Sequence, residues 1–245
     1  MKTLVSAALG GAIAFAGFGA AACETVHAYQ YQMDDAAYTF ELNGVFLNHT
    51  GDPGNYSGGG PLMQWVAEGE NTFTVTMLQG SANIKVIKAC QGDFDGETLV
   101  EASIGAGESR DLTFFIEDAP PAVYDNAGVL AEDGLAEAVD ALKAAVTARD
   151  FDTFWAMHQG LIMQATSMGF PEEQLKGMMG QTVSDGEATF ADDLVFKPVL
   201  GGKVWQVMTK DHDAPVTIKL HGGSTTVDTG AFWTKIDGQW RVAGT

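Results

Sequence analysis

His158 is the residue of this chain whose type and setting come closest to acid–base chemistry. It lies in a predicted helix beside Trp155 and Met157. Because imidazole titrates near neutral pH, His158 paired with an aspartate could act as a general acid and base. A lone histidine on a helix is more often packed or exposed than catalytic, so the sequence assigns no catalytic residue.

A cluster of methionines near His158 suggests a second chemistry, because thioether and imidazole groups are soft ligands for copper. These methionines are Met157, Met163, Met168, Met178 and Met179. Neighbours such as Met157 and His158 face different ways on a helix, however, and methionine is also a common filler of cores and apolar pockets. The pattern therefore favours core or pocket lining over a copper site.

Three carboxylates within five residues, Asp93, Asp95 and Glu97, offer hard oxygen ligands of the kind that calcium prefers. The spacing is not that of an EF-hand, and Asp-Gly is first of all a turn dipeptide. We therefore predict neither a metal site nor a cofactor.

Large aromatic side chains with few polar neighbours recur in the C-terminal half, and such residues are typical of ligand cavities. We expect any pocket of this half to be lined by six candidates: Trp155, His158, Met163, Trp205, Phe232 and Trp233. Such a pocket would hold a small apolar molecule. The alternative, that the same side chains form the domain core, stays open.

The stretch from Leu135 to Phe154 predicts the helix that would open the domain carrying these candidates. Its apolar residues recur at steps of four, three and four: Leu135, Val139, Leu142 and Val146. This is the spacing of an amphipathic helix with one buried face. Two further helices are expected, one reaching Met168 and one running from Pro171 to about Met179, where Gly180 would end it.

Short β-branched and aromatic runs follow, at 188–190, 194–200, 203–210, 214–221, 224–236 and 239–243. Two-residue turns separate several of them: Gly201-Gly202, Gly222-Gly223 and Asp237-Gly238. Such turns join antiparallel hairpins, so we predict one meandering sheet of about five strands. Helices packed on a curved antiparallel sheet would make residues 135–245 an α+β domain with a cone-like interior.

The N-terminal half alternates apolar and polar residues at 38–42, and Asn43-Gly44 then turns the chain back. The Gly-rich segment 48–61 predicts a long loop. Strands are expected at 63–66, 72–78, 83–89, 98–104 and 110–117, with turns that include Gly80-Ser81. We predict an antiparallel β-sandwich domain over 23–118 and a linker over 119–134, because Pro120-Pro121 continues neither a strand ladder nor a helix.

Two segments of the C-terminal half resemble the nuclear-transport-factor-two-like superfamily, which includes ketosteroid isomerase and polyketide cyclases. Residues 141–152, Ala-Leu-Lys-Ala-Ala-Val-Thr-Ala-Arg-Asp-Phe-Asp, are similar to its opening helix and Asp-aromatic turn. Residues 235–242, Lys-Ile-Asp-Gly-Gln-Trp-Arg-Val, look like its last hairpin. The resemblance implies a conical α+β fold over 135–245 and leaves function open, because the superfamily includes enzymes, transport factors and accessory domains.

The first twenty-two residues read as an export signal. Lys2 is followed by an apolar run that ends in Ala20-Ala21-Ala22, the pattern of a cleaved signal peptide. The chain has a net charge of −19, and such a field repels nucleic acid and anionic lipid headgroups. We therefore expect a periplasmic or secreted protein with no nucleic-acid partner.

The two cysteines, Cys23 and Cys90, leave two alternatives open. An even number of cysteines in an exported chain favours a disulfide between them. The rival is a lipid-modified Cys23, which would anchor the protein to a membrane, but Ala20 stands where lipoprotein signals usually have leucine. We favour the disulfide.

Taken together, these patterns favour an exported, non-catalytic binding or accessory protein with a small apolar ligand or a protein partner. The first alternative is an isomerase, cyclase or hydrolase that uses His158 with an aspartate in the cone. The second is a copper-handling protein.

Overall fold

The computed structural model describes residues 25–62, 64–90, 93, 95–220 and 225–244. The chain divides into two compact units between Pro120 and Pro121, inside the predicted linker. Antiparallel strands dominate, and the four helices of the described residues all lie in the second unit, so the fold is a sheet-rich α+β fold. Among the described residues, no helix is long and apolar enough to cross a membrane. The predicted export signal lies outside these residues.

Within the described residues, the N-terminal unit is one antiparallel sheet of five strands. They are β1 (Thr25–Leu42), β2 (Val45–Pro61), β3 (Gly69–Cys90), β4 (Glu97–Gly105) and β5 (Ser109–Ile116). The order is β2-β1-β3-β4, with β5 paired to the first half of β3. The predicted Asn43-Gly44 turn is confirmed, since it joins β1 to β2 with φ angles of 52° and 78°.

The long strands of this sheet bend until their two halves face each other. The ring centroids of Tyr31 and Phe40 are 5.6 Å apart, although nine residues of straight strand would separate them by about 30 Å. The register shifts between Asp34 and Ala37 mark the bend in β1. The apolar core, which includes Phe40, Phe73 and Ile84, therefore lies between the two halves of one sheet.

The prediction of a loop over 48–61 is wrong, because this segment is the edge strand β2. Gly58 pairs with Tyr31 and Gly60 with Tyr29 across the strands. A Cβ on Gly58 would lie 2.9 Å from the Tyr31 hydroxyl, and one on Gly60 would lie 3.2 Å from the Tyr29 ring. The glycines therefore make room for tyrosine rings within a strand.

Two further N-terminal predictions are wrong. The predicted strands 72–78 and 83–89 are one strand, β3, in which Gly80 lies opposite the bend of β1 with a φ of 75°. Residues 64–66 form no strand, and the Trp65 carbonyl instead accepts a hydrogen bond of 2.8 Å from the side-chain amide of Asn43. A left-handed glycine is compatible with a bulge as well as with a turn, and the sequence does not distinguish the two.

The C-terminal unit contains α1 (Leu135–Ala148), α2 (Phe151–Met157), α3 (Gln159–Ser167) and α4 (Glu172–Asp185). The first helix thus ends before Phe154, because Arg149 adopts a φ of 54° and Asp150 caps the next helix. The Asp150 carboxylate accepts hydrogen bonds from the Thr153 amide (3.1 Å) and hydroxyl (2.7 Å). The predicted stop of the third helix at Gly180 is wrong, since α4 continues to Asp185 and buries Thr182 and Val183.

The predicted single C-terminal sheet is two sheets. The strands are β6 (Glu187–Phe190), β7 (Val195–Val199), β8 (Val204–Met208), β9 (Val216–Lys219), β10 (Thr226–Thr229), β11 (Phe232–Ile236) and β12 (Gln239–Gly244). One sheet has the order β10-β9-β6 and the other β12-β11-β8-β7. Gly230, with a φ of 79°, separates β10 from β11 and so divides the predicted strand 224–236. The Asp237-Gly238 turn is confirmed, whereas Gly222-Gly223 lies outside the described residues.

One hydrophobic core joins the helices to both sheets, through residues such as Leu142, Phe154 and Trp233. The predicted linker is packed onto this unit rather than loose. Its Leu130 amide donates a 2.9 Å hydrogen bond to Gly202, and its Asp133 carbonyl accepts one of 2.9 Å from the Trp240 indole. These bonds fix the approach of the chain to α1.

Candidate binding cleft

A cleft of about 450 Å³ opens on the exposed face of the N-terminal sheet, where β1, β2 and β3 run side by side. Eight residues line it: Gln32, Met33, Asp34, Asn55, Tyr56, Ser57, Ser81 and Asn83. Successive residues of a strand point to opposite faces, and Gln32 and Asp34 are exposed while Met33 between them is buried. The cleft therefore presents amides, hydroxyls and one carboxylate to solvent.

The strand register aligns several of these polar residues in one row. Gln32 of β1 pairs with Ser57 of β2 and with Asn83 of β3, and Asn83 pairs with Ser103 of β4. Neighbouring strands lie about 4.8 Å apart. The row thus offers a polar side chain at each of four evenly spaced positions across the sheet.

Several of these groups are available to a ligand. The side chains of Gln32, Asp34, Ser57 and Ser81 make no hydrogen bond to another described residue. The Asn83 side-chain oxygen accepts a 2.5 Å bond from the Ser103 hydroxyl, which leaves the amide nitrogen of Asn83 as a donor. The cleft can therefore donate and accept hydrogen bonds along its whole length.

The bend in β1 shapes one end of the cleft. Asp35 has a φ of 48°, its amide donates a 2.9 Å bond to the Asn55 side chain, and its carboxylate accepts a 3.0 Å bond from Gln79. Gly80 packs against this bend so closely that a Cβ there would lie 2.3 Å from the carbonyl oxygens of Asp34 and Asp35. The cleft thus depends on a glycine at position 80.

Tyrosines support the cleft from the core side. The Tyr56 ring packs edge-on against Tyr38 at 5.9 Å, and its hydroxyl donates a 2.9 Å bond to the Asp52 carbonyl. Burial raises the pKa of Tyr29 to about 12, and burial together with Tyr31 raises the pKa of Tyr38 further. Tyr29 and Tyr38 are therefore neutral at ordinary pH and act as uncharged packing groups.

A second, smaller cleft of about 140 Å³ in the same unit combines charges of both signs. It is lined by Thr25, His27, Lys88, Glu117 and Asp118. Burial, and then the neighbouring Lys88 charge, lower the pKa of His27 below its usual value. His27 is therefore largely neutral at physiological pH, and the remaining charged side chains of the lining are one lysine and two carboxylates.

His158, the candidate acid–base residue, is held by two structural partners. It is 1 % exposed, at the junction of α2 and α3. Because a carbonyl can only accept a hydrogen bond, Nδ1 carries the proton and donates a hydrogen bond of 2.7 Å to the Phe154 carbonyl. Nε2 then accepts a hydrogen bond of 2.6 Å from the Thr229 hydroxyl. Burial lowers the pKa of His158 to about 4, against the opposing effect of the Phe154 carbonyl. Neither of these hydrogen-bond partners is a carboxylate, and the two bonds link the junction of α2 and α3 to β10.

The other predicted pocket residues lie in different surroundings. Trp205 and Trp233 pair across β8 and β11 within the buried core, and their indole nitrogens donate to the carbonyls of Leu130 (3.1 Å) and Gly230 (2.5 Å). Phe232 is buried, Trp155 is half-buried, and Met163 is 48 % exposed on α3. A shared cavity for these side chains stays a prediction.

In the part of the chain that the structure describes, no group of three or more His, Cys, Asp and Glu side chains could hold a metal ion. The methionines of the copper hypothesis are separated, since Met157 is buried while Met163 and Met178 are exposed. In the calcium-like loop, Gln91, Gly92 and Phe94 lie outside the described residues. Cys23 also lies outside them, so the disulfide stays a prediction.

Sequence reasoning missed the cleft, because three of its residues belong to the segment that was predicted to be a loop. Asn55, Tyr56 and Ser57 lie in β2, and Gln32 and Asp34 lie in a part of β1 for which no strand was predicted. A usable signal was present, since Tyr29, Tyr31 and Met33 alternate with Gln30, Gln32 and Asp34 at the period of a strand.

Comparison with known proteins assigns no family to the chain, because no protein-family model, curated protein or solved structure matches it.

Proposed function

We propose that the protein is an exported, non-catalytic binding or accessory protein whose N-terminal cleft binds an uncharged polar molecule. One observation carries this proposal. Gln32, Asp34, Ser57 and Ser81 lie on one face around one cleft and make no hydrogen bond to another described residue. Polar side chains that no protein group satisfies are available for a ligand.

We also propose a fold for each of the two units. The two facing halves of the bent N-terminal sheet would act as the layers of a β-sandwich, with the polar cleft on an outer face. The helices and the two C-terminal sheets would form the cone expected from the resemblance to the nuclear-transport-factor-two-like superfamily. The supporting observation is that α1 and α2 share one core with β8, β9 and β11.

The C-terminal unit would serve as a packed accessory domain. Support comes from Trp205 and Trp233, which lie in the core, and from His158, whose two nitrogens are engaged by Phe154 and Thr229. An apolar ligand in this unit would have to displace such contacts. The acid–base alternative would in addition need a carboxylate at His158.

Export and the Cys23–Cys90 disulfide belong to the same proposal. Thr25 pairs with Cys90 across β1 and β3, and Cys23 precedes Thr25 by two residues. The intact mass of the exported protein tests this: oxidation of two thiols to a disulfide removes two hydrogen atoms, so the mass should lie two hydrogen atoms below that of the dithiol chain. A mass raised by acyl chains would contradict it and indicate a lipoprotein.

The binding proposal is tested by hydrogen exchange of the exported protein in the presence of neutral solutes. Glucose, maltose and sorbitol are suitable polar probes, and a naphthalene sulfonate dye is an apolar probe. A ligand that binds the native state slows opening of the unit that it contacts. We expect the polar probes to protect peptides from residues 25–120. Protection of residues 121–244 by the dye alone would contradict the proposal and favour an apolar pocket.

A further inference from the structure

We propose that the ligand of the cleft is a neutral, linear oligosaccharide whose chain crosses the strands along the row Ser57, Gln32, Asn83 and Ser103. This inference rests on the proposed function and adds the class and direction of the ligand. The row runs perpendicular to the strands and continues from the cleft onto β4. A single small solute would occupy only the part that lies within the cleft.

The spacing of the row supports a chain of sugar residues. Neighbouring side chains of the row are separated by one strand spacing, about 4.8 Å. This distance is comparable to the length of one hexose in an extended glycan. Consecutive sugars would therefore meet consecutive polar side chains, with one strand for each sugar.

The chemistry of the row fits hydroxyl groups that both donate and accept. Gln32 offers an amide, Ser57 a hydroxyl and Asn83 an amide nitrogen, because the Asn83 oxygen is already bonded to Ser103. Asp34 adds one carboxylate, which can accept from two neighbouring hydroxyls. The Tyr56 ring packs against Tyr38 on the core side of β2, and its hydroxyl is bonded to the Asp52 carbonyl, so it supports the strand behind the row.

The negative charge of the protein favours a neutral glycan over an anionic one. The protein has 32 acidic and 13 basic residues, and the lining of the cleft includes one aspartate, Asp34, and no lysine, arginine or histidine. An anionic polysaccharide would be repelled by this field and would find no cationic side chain in the lining. Uncharged sugars avoid this repulsion.

The sharpest test is calorimetric titration with malto-, cello- and chito-oligosaccharides of two to six units. We expect affinity to rise with each sugar up to about four units, the number of strands in the row, and then to level off. Gln32→Ala lies at the centre of the row and should weaken binding of the tetrasaccharide by about five- to tenfold, as expected for one or two lost hydrogen bonds. Thr113→Ala is the matched control, because Thr113 is exposed on β5 of the same unit but outside the cleft.

Each outcome decides between the two proposals. The oligosaccharide proposal is supported if affinity rises with the length of the sugar chain in the wild type and in Thr113→Ala, but not in Gln32→Ala. Equal affinity for disaccharide and hexasaccharide overturns the chain across the strands but leaves a small-ligand cleft. If no series binds while glucose or sorbitol still protects residues 25–120 from exchange, this inference fails and the proposed function stands. If no solute has any effect, both fail.

Discussion

The buried polar side chains of the C-terminal unit and the exposed polar side chains of the N-terminal cleft are satisfied in different ways. In the C-terminal unit, His158, Gln164, Thr229 and Thr234 are buried, and each is hydrogen-bonded within the unit. Throughout the described residues, no buried side-chain nitrogen or oxygen lacks a partner. The N-terminal cleft instead exposes the side chains of Gln32, Asp34, Ser57 and Ser81, which make no hydrogen bond to another described residue.

This difference separates structural polar groups from groups available for binding. A buried group that is satisfied internally stabilises one packing arrangement, and its removal costs stability. An exposed group that has no partner contributes little to stability, and its removal affects only what it binds. The two units should therefore respond differently to substitution.

The largest expected effect is that of Trp233→Ala in the C-terminal core. Trp233 is 0 % exposed and packs with Leu142 and Phe154. Its truncation should lower the free energy of unfolding by about 3–5 kcal/mol. Guanidinium unfolding followed by tryptophan fluorescence measures this, because the remaining tryptophans other than Trp65 lie in the same unit.

Trp155→Ala is the matched control for this prediction. Trp155 is half-buried, so its truncation should cost clearly less than that of Trp233. A larger loss of unfolding free energy for Trp155→Ala than for Trp233→Ala would mean that Trp233 lines an open pocket. The C-terminal unit would then also have a place for a ligand.

The next largest effect is a pH dependence that arises from His158. Its pKa in the folded state is about 4, below the ordinary value of 6.5, because burial disfavours the charged form. The free energy of unfolding therefore keeps its full value, as far as His158 is concerned, above pH 6.5. It falls by roughly 3 kcal/mol in total as the pH is lowered from 6.5 towards 4, because the unfolded chain takes up the proton first. Denaturant unfolding between pH 8 and pH 4 measures it.

His158→Gln should remove this part of the pH dependence, since glutamine does not titrate. His49→Gln, on the exposed surface of β2, is the control for replacing a histidine by glutamine. If wild type and His158→Gln lose stability in parallel below pH 6.5, His158 does not act as a buried neutral bridge.

A smaller effect is expected from Gly80→Ala, which tests the backbone that shapes the cleft. The left-handed conformation costs a residue with a Cβ about 1–2 kcal/mol, and the contact of 2.3 Å with the Asp34 and Asp35 carbonyls adds to this. We expect a loss of about 2–3 kcal/mol in the N-terminal unit. Hydrogen exchange of peptides from residues 25–120 reports it.

Gly107→Ala isolates the conformational part of this cost. Gly107 also has a positive φ, 77°, but a Cβ there would meet no atom within 4 Å. It should therefore cost only about 1–2 kcal/mol. Equal losses of stability in Gly80→Ala and Gly107→Ala would show that the bend of β1 moves to make room for the added Cβ. Position 80 would then not shape the cleft.

The sequence predicted those parts of the fold that local chemistry determines. Asn43-Gly44 and Asp237-Gly238 form hairpin turns because both residues of each pair tolerate positive φ. The apolar stripe of α1 is buried as its spacing implies: Leu135, Val139, Leu142 and Val146. Such features depend on neighbours in the sequence, which is why one chain suffices to predict them.

The rest depended on contacts between distant residues. The glycines of β2 suggest a loop until Tyr29 and Tyr31 are placed over Gly60 and Gly58. Similarly, Gly80 suggests a turn until the bend of β1 is placed against it. The cleft arises from this pairing of β1, β2 and β3, so its residues could not be grouped from their spacing alone.

The central claim is that the binding site lies in the N-terminal cleft and not in the C-terminal unit. Its most direct test is an amide correlation spectrum of the isotope-labelled protein titrated with malto- and cello-hexasaccharide. Binding at the row predicts the largest shift changes at 32–34, 55–57, 81–83 and 103, with residues 121–244 unaffected. Changes centred on 155–163 and 205–233 would contradict the account, because the C-terminal unit would then carry the binding site.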